Sequence, residues 1–380
     1  MNGIYIHIPF CRRACNYCNF HFSVSTRNKN DYIAAILKEI ESQKNYFNKD
    51  NHQEKTIIDT VYFGGGTPSL LLAEEISQIV TVLNLYFEIK SNAEISLEAN
   101  PEDLTKEKLR EFKQIGINRL SIGVQSFFDE DLQFLNRPHN AQKAINSIIE
   151  SKEVGFNNIS IDLIYTIPSL TNGNWLRNLE IAFENKIPHI SLYSLTVEPK
   201  TPLAHYIAKG KCKAIDELKS NEQYQIAMQA MEKNEYIHYE ISNFCKKGYY
   251  SIHNSNYWKN QSYLGLGPSA HSYNGISRQW NIANTTEYIK KLLLGETAYT
   301  EEILTITQHY NEYILTTLRT IWGSDLDVIK NTFGTAYFNH CTKIATKYVQ
   351  EGKIVINNNC IYLTNTGKLF ADLISMEMFC

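Results

Sequence analysis

The sequence predicts an α/β protein, a partial (β/α)6 barrel followed by a smaller winged-helix-like α+β module at its C-terminal end. Three observations predict it. Six short β-rich runs alternate with helix-like stretches through the first half of the chain. Those runs are rich in Ile and Val, as suits strands covered by helices on both faces. Beyond about residue 210 the alternation stops, and the last eighty residues read as helices, a hairpin and a closing helix.

The six runs are residues 4–8, 57–63, 93–97, 119–124, 159–164 and 189–195. Helical periodicity between them covers 32–47, 71–87, 106–115, 142–154 and 175–183. Repeated strand–helix units imply parallel strands, because each crossover returns the chain in the same sense. Further on come a helix over 214–233, a strand over 236–241, and a segment from 253 to 273 dense in Asn, Tyr, Ser and Gly. Helices over 308–322, 326–331 and 336–350 precede a hairpin of 353–356 and 360–363, and a helix over 366–375 closes the chain. The expected division is a core part-barrel at 1–210, a barrel-completing extension at 211–298 and the winged-helix-like module at 299–380.

Composition excludes several classes. Lys and Arg number 37 against 40 Asp and Glu, a net charge of -3, which gives no bulk attraction to nucleic acid or anionic lipid. The wing therefore lacks the positive charge of a DNA-binding module, and no nucleic-acid partner is expected. No stretch approaches the ~20 apolar residues of a membrane span. The first strand starts almost at once, so no signal peptide is expected. Eight cysteines in 380 residues are no disulfide framework. Cys212, Cys245, Cys341, Cys360 and Cys380 read as ordinary thiols of a reducing, cytoplasmic compartment.

In parallel barrels the chemistry gathers at the C-terminal ends of the strands. After the first run stands Cys11-Arg-Arg-Ala-Cys15-Asn-Tyr-Cys18, a Cys-x3-Cys-x2-Cys loop. Thiolates at such short spacing suit an iron–sulfur cluster, and three of them leave one iron of a four-iron cluster without a protein ligand. A structural zinc site needs four closed ligands, and His7 and His21 lack finger-like spacing. A thioredoxin-like reading of Cys15-x-x-Cys18 leaves Cys11 unexplained. Gly64-Gly-Gly66-Thr67-Pro68 follows the second run, and no Gly-Lys-Ser/Thr follows it as a phosphate loop requires. The later runs lead to Glu98-Ala-Asn100-Pro101, Gln125-Ser126, Asp162 and Thr196-Val-Glu198-Pro199. Taken singly, Glu98 could cap a turn, Asp162 could satisfy backbone at a strand end, and Arg137 could be a surface cation.

With these motifs in this order, the chain resembles the radical S-adenosylmethionine (SAM) family. It is most similar to the oxygen-independent coproporphyrinogen III oxidase-like branch, and within it to the haem chaperones. The likeness spans nearly the whole length, including Tyr239-Glu-Ile-Ser-Asn-Phe244, His253-Asn-x-x-Tyr257-Trp258 and Leu264-Gly-Leu-Gly-Pro268-x-Ala-His271. The resemblance implies that Cys11, Cys15 and Cys18 hold a [4Fe–4S] cluster whose open iron takes SAM. It places Tyr5, Gly65, Gly66, Thr67, Glu98, Gln125, Arg137, Asp162 and Thr196 around SAM. Glycine suits that position because backbone can approach a ligand closely without a side chain intervening.

The branch's decarboxylating enzyme carries a fourth cysteine two places after the third, and here that place is Phe20. It also carries a long arm ahead of the cluster strand. Both departures favour a haem chaperone, which binds haem and delivers it to acceptors such as a respiratory protein through peripheral membrane contact. The alternative is a dehydrogenase that oxidatively decarboxylates coproporphyrinogen III through a SAM-derived radical. A redox or zinc module without SAM is the third reading. Histidine is a common axial ligand of haem iron, and Tyr257 and Trp258 offer flat faces to a porphyrin. His253 is thus the candidate haem ligand and His271 a lesser one, against the plain alternative of a structural histidine among buried aromatics.

Overall fold

Along most of the first six strands, side chains alternate between two surroundings. The structure, a computed structural model, describes residues 1–47 and 55–380. Its parallel strands are β1 (Asn2–Ile8), β2 (Ile57–Gly65), β3 (Glu88–Ala99), β4 (Arg119–Gln125), β5 (Asn158–Tyr165) and β6 (His189–Ser194), adjacent in that order. Ile4, Ile6, Ile8, Val61, Phe63, Leu97, Leu120, Ile122, Ile159, Ile161, Ile190 and Leu192 are fully buried in the main core. The intervening positions are polar instead: Thr60, Ser96, Glu98, Ser121, Ser160, Asp162, His189 and Ser191. Only one face of the sheet is therefore apolar, contrary to the expectation of two. The side-chain period of two puts the polar set on the other face, where several of them line a common interior cavity.

The later strands extend this arc at both edges. They are β7 (Ile237–Glu240), β8 (Asn243–Cys245), β9 (Ser262–Leu266), β10 (His271–Tyr273), β11 (Ser277–Asn281) and β12 (Tyr299–Ile303). The sheet runs β12-β11-β10-β9-β1-β2-β3-β4-β5-β6-β8-β7. Strand β9 is parallel to β1, while β8 lies antiparallel to β6. Among the described residues β12 and β7 do not pair, so the barrel is partial. Residues 299–303, read from sequence as the start of the C-terminal module, belong to this sheet.

The segment dense in Asn and Tyr holds a helix, Ile252–Trp258, which packs against β1, β2 and β9. Its residues are weak helix formers, so its start is fixed by partners. Ser251 caps it by accepting from the Asn254 N–H, and the buried Glu94 carboxylate of β3 accepts from the Ile252 and His253 N–H groups. These are the orphan donors of a helix N-terminus, and a carboxylate there also meets the helix dipole favourably.

The C-terminal module has its own core, built on Tyr310, Ile314, Ile329, Cys341, Tyr348, Ile361, Ile374 and Met378. Helices Ile306–Thr317 and Thr335–Gln350 pack with the hairpin of β14 (Ile354–Asn357) and β15 (Cys360–Leu363), joined by the short β13 (Ser324–Asp325). Helices beside a three-stranded wing give the winged-helix-like form.

Candidate cluster and cofactor site

Cys11, Cys15 and Cys18 are half-buried in the loop that leaves β1, and the loop is anchored from several sides. The Cys11 N–H donates to the Ser23 carbonyl at 3.0 Å, and the Cys18 N–H reaches the Cys15 carbonyl at 3.4 Å. Asn16 Nδ2 donates to the Phe134 carbonyl at 2.7 Å, Asn136 Nδ2 to the Ala14 carbonyl at 2.8 Å, and Arg12 pairs with Asp103 at 2.6 Å. Burial pushes the Cys11 thiol up to about 11, against the lowering effect of the Thr67 hydroxyl, and raises Cys18 as well. Without metal these two sulfurs therefore keep their protons. Metal binding has to displace them, as thiolate ligation requires.

Two sulfurs receive hydrogen bonds from one connected chain. Arg137 Nη1 lies 3.3 Å from Cys15 Sγ, and its Nη2 donates to Asn100 Oδ1 at 2.5 Å and to the Gly123 carbonyl at 3.0 Å. Asn100 Nδ2 donates to Thr67 Oγ1 at 3.2 Å, and the Thr67 hydroxyl donates to Cys11 Sγ at 3.5 Å. Arg137 Nε is buried without a partner among the described residues, a donor open to an acceptor on a bound group. This set fits a four-iron cluster, whose properties depend on hydrogen bonds to its sulfurs. Among the described residues no three His, Cys, Asp or Glu side chains crowd around a single metal ion.

The glycines serve the loop as much as any ligand. The Gly66 N–H donates to the Ile8 carbonyl at 2.8 Å. A Cβ on Gly66 would stand 2.7 Å from the Phe10 carbonyl oxygen, and one on Gly65 2.6 Å from the His7 ring. Gly65 also has φ +106°, where side chains are strained. The close approach is thus between β2 and the strand that carries the cysteines. The Gly65 N–H donates to Glu98 Oε2 at 3.1 Å.

Glu98 and Asp162 lie inside the arc. Burial raises Glu98 to about 7, although the Tyr62 hydroxyl donates to it at 2.8 Å. Burial likewise raises Asp162 to about 6, opposed by Ser191, Arg137 and Ser121. Gln125 holds φ +65°, a conformation rare for a residue with a side chain, and its amide stands beside Gly123, as does the Arg137 guanidinium. Such strain is often stored at functional sites. Tyr5 donates to His7 Nδ1 at 3.3 Å, because His7 Nε2 stands 2.8 Å from the His21 carbonyl, which can only accept. Burial holds His7 down to about 4, so this imidazole is neutral and ties β1 to the chain beyond the cysteines.

Tyr5, the glycine loop, Glu98, Gln125, Arg137 and Asp162 are therefore brought together with the cysteines. Thr196 is not: it is exposed and makes no hydrogen bond among the described residues. Sequence reasoning left Asn100 and Tyr62 without roles, although one was quoted in a motif and the other alternates with Phe63 toward the polar face.

A cavity of about 280 Å³ lies on the same polar side, lined by Gly3, Tyr5, Thr60, Tyr62, Glu98 and Tyr193, and on the other wall by His253, Asn254, Tyr257 and Tyr263. His253 Nδ1 is 2.9 Å from Thr60 Oγ1, and its Nε2 has no hydrogen-bond partner among the described residues. Burial holds this imidazole down to about 4. Trp258 packs edge-on against Tyr257 and does not line the cavity, and His271 sits elsewhere, on β10 opposite Trp280.

The three-cysteine loop on a part-barrel, with acids and a guanidinium at the strand ends, defines a site of the radical SAM class. The radical SAM superfamily model matches residues 5–182. The chain is 33% identical to the Bacillus subtilis protein named heme chaperone HemW, covering 98% of this chain and 97% of that one. It is 31% identical to the heme chaperone HemW of Lactococcus lactis, covering 96% of this chain and 94% of that one. Coproporphyrinogen III oxidase HemN of Escherichia coli, a radical SAM enzyme, superimposes with TM-score 0.85 over 100% of this chain and 90% of that one. At 22% identity that last match speaks for the fold. The chain belongs to the HemW family of the radical SAM superfamily. Membership brings a [4Fe–4S] cluster and SAM as cofactors. No described helix is long and apolar enough to cross a membrane.

Proposed function

We propose that this protein is a haem chaperone that binds haem at His253, carries the cluster and SAM at the strand ends, and delivers haem to acceptor proteins. One observation carries the haem site. His253 lines the wall of a 280 Å³ cavity, with Nδ1 held by Thr60 and no hydrogen-bond partner of Nε2 among the described residues. A neutral imidazole with one nitrogen held and the other free is what an iron ligand requires. Tyr257 and Tyr263 supply aromatic surface beside it. Full-length likeness to proteins named heme chaperone HemW supports the reading.

On the SAM side, Cys11, Cys15 and Cys18 would hold the cluster, and Tyr5, Gly65, Gly66, Thr67, Glu98, Gln125, Arg137 and Asp162 would surround SAM. When bound and reduced, the cluster supplies the electron that can cleave SAM. Glu98 and Asp162 offer charge to a cationic ligand, and the Arg137 donor offers itself to an anionic oxygen. Thr196, exposed, is the weakest of the proposed contacts. A reducing cytoplasmic setting and a respiratory haem protein as acceptor fit this role.

Haem titration followed by visible absorption tests the reading. His253→Ala should weaken binding at least roughly tenfold, the scale of a lost metal ligand or its support. His271→Ala should leave the curve unchanged. Equal affinity of His253→Ala and the parent protein would remove the haem assignment.

A further inference from the structure

Glu98, from the SAM side, and His253, from the haem side, do not touch, yet one residue contacts both. The Tyr62 hydroxyl donates to Glu98 Oε1 at 2.8 Å. The same ring stacks on the His253 imidazole, with centroids 5.0 Å apart and planes 27° from parallel. Tyr5 stacks on Tyr62 too, with centroids 6.1 Å apart and planes at 25°, and lies 6.4 Å from the imidazole, so the three rings form a triangle. All four residues line the one cavity. The other oxygen of Glu98 accepts from the Gly65 N–H at 3.1 Å, so the glycine loop holds the carboxylate from its far side.

Resting on the haem and SAM reading above, we infer that Tyr62 is a positioning residue that couples the two ligands, so that SAM at the Glu98 side tightens haem binding at His253. The physical route is short. A cationic ligand beside Glu98 fixes the carboxylate and strengthens the hydrogen bond from Tyr62, because bonds to an ionised acceptor are the stronger kind. A Tyr62 ring held in one place restricts the imidazole stacked on it, and ordering that SAM has already imposed need not be imposed again by haem. Coupling of this kind is reciprocal, so haem must tighten SAM by the same factor.

The experiment is a pair of haem titrations on the anaerobic, cluster-loaded protein, without SAM and with saturating SAM, repeated on Tyr62→Phe. That substitution keeps the ring and deletes the hydroxyl. The parent protein should show haem affinity at least about fivefold tighter with SAM, the lower end of typical coupling. In Tyr62→Phe the ratio should fall to about one, whatever the absolute affinities become. A ratio near one in the parent protein overturns the coupling, and so does a variant that keeps the parent ratio. A reverse titration of SAM with and without haem must give the same factor in the parent protein, and a different factor overturns it too. If His253→Ala binds haem like the parent, the haem site itself has failed; normal His253 dependence with no SAM effect sinks only the coupling.

Discussion

Arg137 Nη1 stands 3.3 Å from Cys15 Sγ, and the same guanidinium reaches Asn100, which passes the contact through Thr67 to Cys11. A fixed cation therefore bridges two thiols that lie on one loop but receive their hydrogen bonds from different loops, Arg137 after the helix Asp129–Phe134 and Thr67 after β2. Charge-assisted bonds to sulfur stabilise the more negative, reduced state of a cluster. Arg137→Leu should shift the cluster's midpoint potential downward and shorten its lifetime against a chelator. A hydrogen bond to a charged group contributes about 1.5–3 kcal/mol, so cluster retention should fall by roughly tenfold or more. Electrochemistry and iron content per chain check both, and an unchanged potential would contradict the assigned contact.

Gly66 and Gly173 give a paired test of the glycine loop. A Cβ at Gly66 would meet the Phe10 carbonyl at 2.7 Å and the Ile8 carbonyl at 2.8 Å, both backbone atoms that cannot swing away. Gly66→Ala should displace the start of the cysteine loop, lowering cluster yield and costing about 1–3 kcal/mol, the usual range for overpacking. Gly173 lies in the helix Asn172–Glu184, where only Thr171 Oγ1, at 3.9 Å, comes near. Gly173→Ala should instead stabilise by about 0.5–1 kcal/mol. Thermal denaturation of the two variants should move in opposite directions.

Much of this site could be read along the chain because its parts are local. The cysteine spacing, the glycine run and the polar residue after each strand are short patterns, and the six parallel strands fall close to their expected places. What escaped depends on distant partners. The helix Ile252–Trp258 is poor in helix formers and gains its start from Glu94, 158 residues away from Ile252. Asn100 is visible in a motif, but its link between Arg137 and Thr67 exists only once three strands are side by side. Thr196 was placed by the family likeness, at the end of the sixth strand, and it stands exposed there. The expectation of two apolar sheet faces failed because Ile and Val crowd one side while Thr60, Ser96, Ser121 and Ser160 occupy the other.

Two raised carboxyls set a pH signature. Burial moves Glu98 from 4.5 to about 7 and Asp162 from 3.8 to about 6. Between the ordinary values and these, the folded chain holds protons that the unfolded chain has released. Stability of the ligand-free protein should therefore decline as pH rises through that window, each group adding a slope of up to about 1.4 kcal/mol per unit. Glu98→Gln should flatten part of the slope in denaturant titrations. A cation such as SAM favours the ionised carboxylates, so its affinity should rise over the same window with proton release. Calorimetry in buffers of different ionisation enthalpy reads that release directly, and a flat affinity profile would argue against Glu98 as a SAM contact.

Thr60 decides which nitrogen of His253 is free. Its hydroxyl lies 2.9 Å from Nδ1 and can either donate or accept. If iron is to bind Nε2, the proton must sit on Nδ1 and point at Thr60 Oγ1, since an imidazole offers a lone pair only at its unprotonated nitrogen. Gly3 makes room for this pair: a Cβ there would stand 2.8 Å from the hydroxyl and 3.3 Å from the ring. Thr60→Val keeps the shape and removes the acceptor, leaving Nδ1–H buried without a partner or forcing the proton onto Nε2. Haem affinity should fall roughly ten- to hundredfold, as for other residues that orient a metal-bound histidine. Thr60→Ser keeps the hydroxyl and should restore most of that loss. Visible spectra of the haem complexes distinguish the cases, because a serine variant should show the parent ligand field and a valine variant a weakened one. Equal affinity in all three proteins would mean that His253 is oriented by its contacts with the Tyr62 and Tyr5 rings and not by Thr60.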